Sequence, residues 1–294
     1  MRDEVAAAPA SIGQVLSTNP DHTPVRDRPW IGMGTSFWCA ESISRMVPGI
    51  SVQAADQWLE SPGGQTAVAI SQSGASAETV AAARACLVVV AVTNEPDSSL
   101  ATLPQCGRVV HLGVLREQFS SSVSCTATLA ALALLAGLDL QPLARTADRS
   151  GTDWLRQGAD LGAALDDALD RHPAGIFWLG DGPLLGMASQ AGLIASETWR
   201  RLASGMTTGS FDHGFKEAAQ GSLVIALGDT ARQRHLADRL APWGVAWQAV
   251  PLPAEPLERT VAASVIIAAA VAEVAARRNL GDSFRIGAKV TASL

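Results

Sequence analysis

Residues 66–80 read Thr66-Ala-Val-Ala-Ile70-Ser71-Gln72-Ser73-Gly74-Ala75-Ser76-Ala-Glu-Thr-Val80. Thr66–Ile70 is a short apolar run without polar alternation, the pattern of a strand buried on both faces. From Ser76 the sequence turns Ala-rich and predicts a helix over Ser76–Ala85. Three hydroxyls and one glycine therefore fall where a strand hands over to a helix. Such a junction exposes unpaired backbone N–H groups at the positive end of the helix dipole. Gly74 lets the backbone approach an anion closely, and the hydroxyls donate without adding charge. Ser and Gly are also ordinary turn and N-cap residues, so one such loop has a purely structural reading beside the functional one. The segment has neither the Gly-Lys-Ser/Thr of a Walker A loop nor the spacing of a dinucleotide fingerprint.

Two more segments repeat the logic. Gly32-Met33-Gly34-Thr35-Ser36 follows a predicted strand at Arg28–Gly32, and Ser120–Ser124 precedes a predicted helix at Thr126–Gly137. Further strands are predicted at Cys86–Val92 and Arg108–Leu112, and a helix at Phe37–Met46. Asp139–Ser150 is polar and reads as a linker. A second series follows it: helix Thr152–Arg171, strand Gly175–Leu179, helix Leu184–Ala203, strands Ser222–Leu227 and Val245–Val250, helix Leu257–Arg278. Strands alternating with helices predict an α/β fold with parallel sheets flanked by helices. Two units of similar size are expected.

The totals narrow the function. The 294 residues are 48% hydrophobic and 17% charged, with net charge −6. That composition supports a large core and excludes a basic nucleic-acid surface. Ala127–Leu138 and Val261–Ala272 read as buried helices too short to span a bilayer. Met1-Arg2-Asp3-Glu4 opens no signal peptide, and four scattered cysteines fit reduced thiols in a cytoplasm. No metal and no cofactor is expected.

Ile70-Ser71-Gln72-Ser73-Gly74, with Ser76 and Glu78-Thr79, resembles the phosphosugar loop of sugar isomerase (SIS) domains. Gly34-Thr35-Ser36, Thr93-Asn94-Glu95-Pro96, Glu117 before the serine cluster, Gly180-Asp181-Gly182-Pro183, Glu197, Asp212-His213-Gly214 and Lys289-Val290-Thr291 agree, in order, with the isomerase half of glutamine–fructose-6-phosphate aminotransferases. The resemblance implies two tandem SIS domains, each a flavodoxin-like three-layer unit, at residues 25–150 and 151–277. An N-terminal helical segment (1–24) precedes them and a C-terminal tail (278–294) lies over the site. It implies a homodimer with a site shared between subunits and a sugar phosphate substrate, with no nucleic acid or membrane partner. Ser71, Gln72, Ser73, Ser76 and Thr35 would hold the phosphate, and Gly34, Ser36, Ser120 and Ser121 would line the sugar site. Glu197 matches the base that moves a proton between C1 and C2. His213 matches a ring-opening histidine from the neighbouring subunit, and Lys289 a lysine that bonds the open-chain carbonyl as an imine.

The residue types suit that chemistry. Enolisation needs a positioned base, ring opening a proton shuttle near neutrality, and imine formation a desolvated amine. The departures point to a changed substrate or reaction. Gln190 and Ile194 stand where that family has Glu and Lys, Val123 where it has a lysine, and Phe215 where it has a proline. No stretch matches a glutaminase domain. The expected activity is isomerisation with amine release or exchange on an amino- or imino-sugar phosphate, independent of glutamine. The alternative is a non-catalytic phosphosugar-sensing protein.

Overall fold

A computed structural model describes residues 1–20, 22–59, 64–117 and 120–281. The first half comprises α1 (Arg2–Ala6), α2 (Ser11–Thr18), β1 (Trp30–Gly32), α3 (Gly34–Ser44), β2 (Val52–Ala54), α4 (Ala55–Trp58), β3 (Thr66–Ile70), α5 (Ala77–Arg84), β4 (Val88–Thr93), β5 (Cys106–His111) and α6 (Val123–Leu135). The long α7 (Gln141–Leu169) leads into β6 (Ile176–Leu179), α8 (Leu184–Trp199), β7 (Ala203–Met206), α9 (Thr208–His213), β8 (Leu223–Leu227), α10 (Ala231–Leu240), β9 (Ala246–Val250) and α11 (Pro256–Arg277).

All strands pair in parallel, in two sheets ordered β2-β1-β3-β4-β5 and β7-β6-β8-β9. Alternate residues of the first sheet enter different cores. Trp30, Val68, Ile70, Val90 and Val92 face one cluster, and Ile31, Ala67, Ala69, Val89 and Ala91 face another. The second sheet divides likewise, with Ile176, Trp178 and Ile225 in the same large cluster as Trp30 and Leu179 and Val224 in a separate one. Burial on both faces explains the unalternated apolar strands. It also shows that the inner faces of the two sheets share one core.

Helices fill the space between the sheets. All of α6 is buried, and each of Leu129, Leu132 and Leu134 contributes about 2 kcal/mol by leaving water. Thr126 Oγ1 meets Ser264 Oγ of α11 at 2.9 Å. By length and composition α11 is the one helix among the described residues able to cross a membrane; Val261–Ala272 is only its middle. Most of it is buried against α6, α7 and α8, so its apolarity is that of a core helix.

The expected linker is a correction. Asp139–Ser150 falls largely inside α7, a single helix of 29 residues. Its buried residues Leu143, Ala147, Gly151, Trp154, Gly158, Leu161, Leu165 and Leu169 recur every three or four positions, one continuous apolar stripe. Gly158 and Gly162 allow close approach to α11: a Cβ on Gly158 would lie 2.5 Å from the Ile266 carbonyl oxygen. The short strands β2 and β7 and the helices α4, α9 and α10 are missing from the sequence reading, and the helix at 184 ends at Trp199 because Arg200 takes a left-handed conformation.

Candidate functional site

In the first sheet the chain moves from β1 to β2 on one side, then returns to β3 on the other. Such a reversal opens a crevice at the carboxyl ends of the two central strands, where α/β folds bind ligands. The loops at that crevice are 33–36, after β1, and 71–76, after β3. Both serine-bearing junctions are thus neighbours in space because β1 and β3 are paired.

The second loop is rigidly held. Gly74 N–H donates to the Ser71 carbonyl at 2.9 Å, and Leu100 N–H to the Gly74 carbonyl at 2.9 Å. Thr93 Oγ1 and Asn94 N–H both donate to the Gln72 carbonyl. Gly74 has φ +61, and a Cβ there would stand 1.9 Å from Ser98 Oγ, so no other residue fits without rearrangement. Ser71 is buried, Ser73 is exposed, and Ser76 is half-buried. Ser76 is the N-cap of α5, yet its side chain does not cap the helix. Its hydroxyl donates to Glu78 (3.4 Å) and accepts from Thr79 (3.3 Å). The first-turn amides of α5 are therefore left without a cap from Ser76, at the end of the loop that follows β3, and uncapped helix amides are suited to anions. Glu78 in the same turn already occupies part of that positive end.

The third loop is organised by a carboxylate outside the expected site set. Glu117 accepts from Ser122 N–H (2.6 Å), Ser122 Oγ (2.7 Å), Ser124 N–H (3.3 Å) and Ser124 Oγ. It caps the start of α6. Burial pushes its carboxyl above the ordinary glutamate range, and the serine hydrogen bonds pull the other way. An acid a few residues ahead of a serine run that opens an apolar helix was the signal for this role. Ser121 Oγ in turn lies 2.6 Å from Ser124 Oγ.

Helix α8 meets the first and third of these loops. Its residues 186, 190, 193 and 197 follow helical spacing and form one stripe. A Cβ on Gly186 would lie 2.2 Å from the Trp38 carbonyl oxygen of α3, and one on Gly34 would lie 3.8 Å from Leu193 Cδ2. Gln190 Nε2 donates to the Ser121 carbonyl at 3.4 Å, and Ser120 Oγ lies 3.2 Å from Thr198 Oγ1. Glu197 is half-buried in the last turn of this helix and makes a polar interaction of its own. The structure thus brings Gly34, Thr35, Ser36, Ser71–Ser76, Ser120 and Ser121 to the same end of the first sheet, with α8 beside them.

Of these, Ser120 is buried, with its hydroxyl against Thr198. Not every expected residue joins them. His213 ends α9 and is exposed; α9 packs on the 3-10 turn Phe215–Ala218 and on α10, all in the second half. Its neighbour Asp212 binds Lys216 (2.9 Å) and Arg232 (3.2 Å), which hold its carboxyl below the usual range. Lys289 lies outside the described residues. Among the described residues no group of three His, Cys, Asp or Glu is placed to hold a metal ion.

No protein-family model matches the sequence, and no curated protein matches it. Solved structures do. The C-terminal domain of glucosamine-fructose-6-phosphate aminotransferase from Francisella tularensis superposes with a TM-score of 0.74 at 15% identity over 95% of each chain. Glucosamine-6-phosphate deaminase from Thermotoga maritima gives 0.74 at 17% identity, again over 95% of each chain. Tagatose-6-phosphate ketose/aldose isomerase from Escherichia coli gives 0.69 at 15% identity over 98% of this chain and 95% of the other. At these identities the likeness is one of fold: the chain has the fold of the SIS-domain phosphosugar isomerases.

Proposed function

We propose that the chain is an enzyme of two tandem SIS units, residues 25–150 and 151–277, that isomerises an amino- or imino-sugar phosphate and releases or exchanges its amine without glutamine. The observation that carries the reading is the α8 stripe. The helix that bears Glu197 touches Gly34, Ser120 and Ser121 through Leu193, Thr198 and Gln190. An anion cradle and a carboxylate on one wall are what proton transfer next to a carbonyl requires.

In this reading the hydroxyls of Ser71, Ser73, Ser76 and Thr35 and the first amides of α5 grip the phosphate. Gln72 adds the NH2 of its side-chain amide as a further neutral donor. Glu197 takes a proton from one of the two carbons C1 and C2 and returns it to the other. Hydrolysis of the imine so formed releases the amine, with water supplying the carbonyl oxygen. His213, from the neighbouring subunit of a homodimer, moves the proton that opens the ring. Its exposure, and the packing of α9 on elements of the second half, agree with a role outside its own subunit. Lys289 bonds the open-chain carbonyl. The reaction runs in the cytoplasm.

The test is direct. Incubation with glucosamine 6-phosphate, fructose 6-phosphate and fructosamine 6-phosphates, assayed for ammonia, free amine and isomer, should yield amine or isomer from at least one ester. Binding of those esters without product would establish the sensing alternative instead.

A further inference from the structure

A cavity of about 330 Å3 opens on the surface of the second half. It lies where the 3-10 turn Phe215–Ala218 and the end of α10 meet a second 3-10 turn, Ala241–Trp243. These turns precede β8 and β9, so the cavity sits at the amino ends of those strands. None of its residues belongs to the loops 33–36, 71–76 or 120–124. Its volume is at the small end of the range for ligand pockets, enough for one small organic molecule.

The lining says which molecule. Leu236, Leu240 and Val245 are buried and give the cavity an apolar floor. Trp243 stands beside them 66% exposed, a flat apolar face left in water that a stacked ligand would cover. Three charged side chains complete the lining: Lys216, Glu217 and Arg239. Lys216 is already committed, donating to Asp212 at 2.9 Å. The side chains of Arg239 and Glu217 have no ion-pair or hydrogen-bond partner among the described residues, and do not pair with each other. One cation and one anion are therefore unpaired above an apolar floor. A lone carboxylate drawn to Arg239 meets the like charge of Glu217, and a lone ammonium meets that of Arg239. A zwitterion with an apolar side chain satisfies both charges and covers the floor. We propose that this cavity binds a hydrophobic α-amino acid, its carboxylate on the Arg239 fork, its ammonium on Glu217 and its side chain between Trp243 and the buried leucines. The site is independent of the phosphosugar reading and assigns the chain a second ligand.

The experiment titrates the full chain with para-fluoro-L-phenylalanine, read by fluorine NMR line broadening. Phenylpropionate and phenethylamine, which carry one charge each, serve as competitors. The amino acid should bind with a Kd of about 1 mM or tighter, and each single-charge analogue about 5-fold more weakly. Arg239→Gln and Glu217→Gln, both at exposed positions, should each weaken the amino acid about 5-fold. Glu217→Gln should at the same time tighten phenylpropionate, a crossover that partial unfolding cannot produce. Glucosamine 6-phosphate at saturation should displace none of the probe. Absence of broadening in wild type, equal affinity for the three probes, or an unchanged affinity in either charge variant would overturn the assignment. So would displacement by the sugar phosphate, which would put the probe at the serine loops instead.

Discussion

Ser120 Oγ lies 3.2 Å from Thr198 Oγ1, so the loop before α6 and the last turn of α8 are joined one residue from Glu197. Both residues are buried. A hydroxyl pair of this kind contributes about 1 kcal/mol net, and removing one partner under burial costs about 1–3 kcal/mol. Thr198→Val keeps the shape and deletes the hydroxyl. Urea denaturation should show a loss of about 1–2 kcal/mol, and phosphosugar affinity should fall with it because Ser120 loses its tether. A variant as stable as wild type with unchanged affinity would mean that the contact positions nothing.

Gly74 is the tightest point of the proposed phosphate cradle. Its φ is left-handed, and an added Cβ would stand only 1.9 Å from Ser98 Oγ, so both the backbone and the space oppose a side chain. Gly74→Ala should destabilise the fold by about 3 kcal/mol through strain and displacement of Ser98. It should also abolish inorganic phosphate binding, since the Ser71–Ser76 amides shift. Thermal melts with and without phosphate read both effects. Full retention of the phosphate-induced shift in melting temperature would remove loop 71–76 as the anion site.

The positions of the strands were largely legible in the sequence, and the reasons for the misses are physical. Thr66–Ile70 is a strand over the predicted residues because both its faces are buried. The strands β2 (Val-Gln-Ala) and β7 (Ala-Ser-Gly-Met) are mostly half-buried and offer no apolar run to read. Asp139–Ser150 reads as a linker because this first stretch of α7 is mostly polar, with only Leu143 and Ala147 buried in the helical part of it. For the site, hydroxyls and glycine at strand–helix junctions are visible in the sequence. The Glu117–Ser122–Ser124 network is visible only as an acid ahead of a serine run, and Thr198 carries no signal, since its role is fixed by a contact across 78 positions.

Glu117 offers a pH test. Burial raises its carboxyl above the ordinary glutamate value, which is about 4.3. A carboxyl with a folded pKa above its unfolded one holds its proton more tightly when folded. Its contribution therefore favours folding below the unfolded pKa and is lost as pH rises through the elevated folded pKa. Glu117→Gln cannot ionise, so its stability should lack that decline, whose slope is at most about 1.4 kcal/mol per pH unit. Urea denaturation from about pH 4 upward compares the two. Parallel stability curves would show that Glu117 does not titrate in that window.

The proposed base gives the most direct functional test. Glu197 lies on the α8 stripe whose neighbours touch Gly34, Ser120 and Ser121, while the proposed phosphate cradle lies between separate elements, β3 and α5. The two roles should therefore separate on substitution. Glu197→Gln preserves size and removes the basic oxygen, so turnover should fall about 10²–10⁴-fold, the range of a lost general base. Phosphosugar affinity should stay within about 3-fold, because in the proposed site the phosphate falls to Ser71, Ser73, Ser76 and the α5 amides rather than to α8. Steady-state assay with the best ester from the substrate panel, beside calorimetric affinity for the same ester, reads the two quantities independently. Unchanged turnover would take Glu197 out of the chemistry. A joint loss of turnover and affinity would make it a binding group and move the proton transfer to another residue of the site.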